Sequence, residues 1–133
     1  MNMFCYQCEA TAKGTGCTVT GLCGKDPQVA ALQDLLIYAV KDISRYAHRA
    51  GQLGARDRDV DVFVVQALFS TLTNVNFDPA RFQGLMDEAA ALKDRARKLY
   101  EKAAIQAKQT VEKLECPVRW WDGRDDLEAL TRK

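Results

Sequence analysis

Between Val29 and Ala47 the apolar residues Val29, Leu32, Leu35, Leu36, Ala39, Val40, Ile43, Tyr46 and Ala47 recur every three or four positions with polar side chains between them. That spacing predicts one amphipathic helix. Asp26-Pro27 reads as its start, a carboxylate cap followed by a proline that has no N–H to leave unpaired, and Gly51 to Gly54 ends it. A second helix is predicted from Asp59 to Leu72, with Val60, Phe63, Val64, Ala67, Leu68 and Leu72 turned inward. Val62 to Val65 has strand propensity, but its register runs on helically into Gln66-Ala67-Leu68. Thr71 to Phe77, TLTNVNF, reads as a turn whose side chains compete for backbone hydrogen bonds.

Asp78-Pro79 repeats the start signal, and Phe82, Leu85, Met86, Ala89, Leu92, Ala96, Leu99, Tyr100, Ala103, Ala107, Val111 and Leu114 keep a helical period with no proline before Pro117. The expected fold is all-α, a three-helix bundle with a long third helix, preceded by a cysteine- and glycine-rich loop. At ~1.5 Å per residue, the third helix of ~35 residues is a rod of roughly 50 Å against about 35 Å for the first. It is therefore expected to overhang the bundle, leaving Ala103, Ile105, Ala107, Val111 and Leu114 to be covered by the tail or by a second chain. A homodimer through the third helix and tail is the resulting expectation. The tail carries Trp120 and Trp121, a short helical signal from Asp125 to Leu130, and Cys116, which reads as a buried or free thiol.

Composition changes this picture little. With 133 residues, 47% hydrophobic and 28% charged, the chain suits one domain over 1–133: a loop at 1–25, the bundle at 26–115 and a tail at 116–133. The net charge of +1, without a basic face, argues against nucleic acid as a partner. No stretch reaches the roughly twenty apolar residues that span a bilayer. Cysteine use without a targeting segment points to a reducing, cytoplasmic setting.

The chemistry concentrates at the amino end. Cys5, Cys8, Cys17 and Cys23 stand in the spacing Cys-x2-Cys-x8-Cys-x5-Cys, so four of the five cysteines share one short loop that cannot bury a core of its own. An iron–sulfur cluster is the favoured explanation of this gathering. Zinc is the main competitor, since four thiolates close a tetrahedral site, although the second cysteine pair is wider than a usual zinc knuckle. Disulfides and redox-active thiols remain lesser alternatives.

Glycines at 14, 16, 21 and 24 allow turns that aim amide N–H groups at sulfur. Phe4, Tyr6, Val19 and Leu22 are placed to shield such a site or to pack the loop onto the helices, and Lys13 to offset its negative charge. His48, in the last turn of the first helix between Arg45 and Arg49, reads as a surface residue favoured by the helix dipole rather than a ligand.

The opening FCYQCEATAKGTGCTVTGLCGKDPQVAALQDLLIYAVKDIS, with the later VFVVQALFSTLTNVNFD, resembles the amino-terminal region of the hybrid cluster proteins, also called prismane proteins or hydroxylamine reductases. The resemblance covers roughly residues 3 to 100. It implies that Cys5, Cys8, Cys17 and Cys23 ligate a [4Fe-4S] cluster, with [2Fe-2S] or zinc less favoured. It also implies helical bundles and a redox partner protein.

Members of that family are longer, and their hybrid cluster is held by residues of later domains. His48 and Cys116 are too few to replace those ligands. The expected function is therefore electron transfer, with no hydroxylamine reduction by this chain alone. The alternatives are an electron-input domain or subunit of a hydroxylamine reductase or nitric oxide reductase-type enzyme, and an iron–sulfur redox sensor.

Overall fold

The computed structural model describes residues 2–9 and 14–114. Among them run three helices, α1 (Pro27–Gln52), α2 (Arg58–Ser70) and α3 (Pro79–Gln106), and no strand beyond one isolated bridge in the loop. The all-α, three-helix expectation holds. Each helix opens on an aspartate cap: Asp26 accepts from the Val29 N–H at 2.8 Å, Asp57 from Asp59 at 3.0 Å, and Asp78 from Ala80 at 2.9 Å. Two of the three caps precede a proline, as the Asp-Pro signals require.

The core lies mainly between α1 and α3, with α2 against one side. Leu36, Ile43, Val60, Phe82, Ala89 and Ala96 are fully enclosed. One charge enters this interface: Asp42 of α1 is 1% exposed and meets Lys93 Nζ of α3 at 2.6 Å, with Arg45 Nη1 at 4.0 Å. A carboxylate taken out of water is costly alone, so the lysine makes this contact a positional lock between the two helices.

Two expectations about the helices are corrected. The third helix ends at Gln106, and its 28 residues make a rod of ~42 Å beside ~39 Å for the 26 residues of α1, so there is no overhang. Lys108 takes a left-handed backbone, φ 56°, and the chain turns back. The Glu112 N–H then donates to Tyr100 Oη at 3.1 Å, and Tyr46 Oη to the Leu114 carbonyl at 3.5 Å. Glu112 also pairs with Arg49. Ala107 and Val111 are exposed among the described residues, and the expected overhang of α3 is absent.

The second correction concerns α2. It buries Val60, Phe63 and Ala67 as expected, but Leu68 and Leu72 point outward at 42% and 49% exposure. Cys116, Trp120, Trp121, the 125–130 helical signal and Lys13 lie outside the described residues.

Candidate metal centre

The amino-terminal loop is folded by its backbone. Cys5 and Cys17 face each other in an antiparallel bridge, exchanging N–H···O bonds of 3.0 and 2.9 Å, and the Met3 N–H extends the pairing to Thr18 O at 3.1 Å. Two of the four cysteines, twelve positions apart in the chain, are thereby set side by side. Met3, Cys17 and Ala30 bury one another, which fastens this bridge to the first turn of α1.

Gly16, immediately before Cys17, has φ 136°, a conformation open to glycine, and a Cβ there would lie 2.7 Å from the Phe4 ring. Residues 21–25 close a second turn, with the Gly21 N–H on Lys25 O at 2.7 Å and the Gly24 N–H on Gly21 O at 2.9 Å. A Cβ at Gly21 would stand 3.0 Å from Cys23 Sγ, so the missing side chain is what lets that sulfur lie against the backbone. The amides of Gly21 and Gly24 thus serve carbonyl oxygens.

Lys25 is the loop residue that sequence reasoning misses. Its side chain is among the largest fully buried ones, at 2% exposure. Its ammonium stands 3.1 Å from Gln7 Oε1 and 3.5 Å from Cys5 Sγ. A buried cation needs a compensating acceptor, and here one of the two is a candidate ligand sulfur. The signal for it in the sequence is weak: a lysine just before a helix cap looks like any surface lysine.

The Asp34 carboxyl on α1 lies above the usual carboxylate range because surrounding atoms partly desolvate it, against the pull of Lys25 and Lys41, although the residue as a whole is exposed. Phe4, Tyr6, Val19 and Leu22 are 64% to 72% exposed, so they are not packed into the helical core.

Cys5, Cys8 and Cys23 are half-buried, Cys17 is buried, and no disulfide joins the four to one another. Their sulfurs are not converged: among the described residues no group of three or more His, Cys, Asp or Glu side chains stands in a metal-holding arrangement. The donor set nonetheless suits an iron–sulfur cluster in its chemistry. Four thiols supply one ligand for each iron of a cubane, and a buried ammonium beside one of them offsets the negative charge that thiolates bring. His48 is exposed and borders a groove of about 460 Å³ with Arg56 and Asp61, apart from the cysteines.

A profile described as the Prismane/CO dehydrogenase family matches residues 3–122. The hydroxylamine reductase of Rhodospirillum rubrum is 51% identical over 118 residues, 89% of this chain and 22% of that protein. That of Syntrophobacter fumaroxidans is 55% identical over 95 residues, 71% of this chain and 18% of its own length. That of Geobacter metallireducens is 41% identical across 100% of this chain and 24% of its own. The chain spans about a fifth of the length of these curated relatives.

Proposed function

Because this chain belongs to the Prismane/CO dehydrogenase family, we propose that it is an iron–sulfur electron-transfer protein binding one [4Fe-4S] cluster through Cys5, Cys8, Cys17 and Cys23. The observation that carries the reading is the amino-terminal quartet of cysteines, two of them set side by side by the Cys5–Cys17 bridge, within the region the family profile matches. When bound, the cluster supplies reversible one-electron transfer.

The residues of the chain supply the rest. The bridge holds the segments that carry Cys5 and Cys17, the 21–25 turn holds Cys23, and Lys25 places a cation next to Cys5. Phe4, Tyr6, Val19 and Leu22 form an exposed apolar rim on the same loop, which suits transient docking of a redox partner protein. No described helix is long and apolar enough to cross a membrane, and thiol ligands call for a reducing compartment such as the cytoplasm.

A second reading is favoured by the names and lengths of the relatives: an electron-input domain or subunit of a hydroxylamine reductase. Anaerobic purification with metal and sulfide analysis and EPR after dithionite tests the cluster. About four irons and four sulfides per chain support it, whereas zinc without acid-labile sulfide overturns it. Hydroxylamine turnover that appears only when the remaining portion of a hydroxylamine reductase is added marks the subunit, whereas electron delivery to an acceptor with no turnover in either case marks the carrier.

A further inference from the structure

From Val62 to Phe77 the chain, VFVVQALFSTLTNVNF, contains no charged residue, although 28% of the whole chain is charged. Only one side of α2 is covered, through Val60, Phe63 and Ala67, while Val65 (67%), Leu68 (42%), Phe69 (60%) and Leu72 (49%) are exposed together. Charges of both signs border this face. Arg56 and Asp61 stand in the groove between α1 and α2, Arg58, Asp59, Glu88 and Arg95 along the amino-terminal part of the groove between α2 and α3, and Arg81 at the carboxyl end of that groove; Val65 borders the first groove and the last. Asp61 and Arg81 are exposed and neither makes an ion pair among the described residues.

We propose that the exposed face of α2 is a self-complementary docking surface for a second copy of this chain. A two-fold axis normal to the face, near Val65 and Leu68, exchanges its ends and its sides at once. It brings each Asp61 to Arg81 of the second copy and lays the apolar residues against their equivalents. An isologous contact requires this relation between a surface and itself. The contact expected at the third helix is thus assigned to α2 instead, and it is independent of what the cysteines bind.

The test is light scattering after size exclusion on the full 133-residue chain isolated without air, with circular dichroism to confirm helix content. The expected mass is twice 14.9 kDa. Leu68→Asp should leave a monomer. Asp61→Arg and Arg81→Asp should each weaken the dimer about tenfold, because each sets like charges against one another at both ends, and the double variant should recover most of the loss. If Leu68→Asp does not fold, the charge exchange decides alone. A monomer at about 100 μM, a dimer indifferent to both charges, or a double variant no better than its parents overturns the proposal. So does a monomer that binds the portion of a hydroxylamine reductase beyond the matched region.

Discussion

Lys25 and Asp34 carry most of the electrostatics around the loop. With its ammonium 3.5 Å from Cys5 Sγ, Lys25 stabilises negative charge at that sulfur, and a reduced cluster carries one more negative charge than an oxidised one. Lys25→Met should lower the reduction potential by roughly 40 mV, the equivalent of about 1 kcal/mol of charge interaction. A redox titration followed by EPR reads it, and an unchanged midpoint would remove Lys25 from that role. Asp34 gives a pH signature. Its carboxyl is raised chiefly by partial desolvation, so the folded state holds its proton more firmly than the unfolded state, and a small amount of stability, screened by solvent at this exposed position, is lost as pH climbs through the carboxylate range. Asp34→Asn should therefore be the more stable protein near neutrality, and the gap should close below the ordinary value of 3.8. Urea unfolding at several pH values measures it.

At the scale of the helices, starts and stops behave differently. Each start is marked by an aspartate whose side chain bonds to the first turn, a local event among neighbours in sequence. The end of α3 has no such mark. Lys108 adopts the left-handed conformation that glycine usually supplies at this point, and the Gln109 N–H caps the Ala104 carbonyl at 2.9 Å. Lys108→Gly should then stabilise the fold by about 0.5–1 kcal/mol, since relief of the Cβ strain exceeds the added freedom of the unfolded chain. A lower denaturation midpoint in urea would show that the lysine makes contacts worth more than the strain.

For the whole molecule, the main interface is α1 against α3, and its only fully buried carboxylate is Asp42 among the described residues. Lys93→Met leaves that carboxylate with Arg45 alone, at 4.0 Å. The variant should lose about 2–3 kcal/mol, below the usual cost of orphaning a buried charge because Lys93 keeps some contact with water. Chemical denaturation checks this, and Asp42→Asn in the same background should recover part of the loss. α2 contributes less to that interface and leaves an apolar face outward, so the surface of the molecule is set as much by what α2 fails to cover as by what α1 and α3 bury.

The sequence alone determined the three helices, the aspartate caps of α1 and α3, the inward residues of α1 and the grouping of four cysteines, because each depends on neighbours within a few positions. It also carried the family resemblance, since those same local patterns are what relatives share. Tertiary structure decided the rest. Between Val62 and Leu72 apolar residues also stand outside the helical period, so periodicity alone does not fix which of them face the core, and packing on α1 and α3 left Leu68 and Leu72 outside. The length of α3 was settled by Tyr46, Tyr100 and Arg49, which hold the returning chain from positions distant in sequence. Lys25 reads as an ordinary surface cation until the loop folds over it and brings its ammonium to Cys5, twenty residues back along the chain.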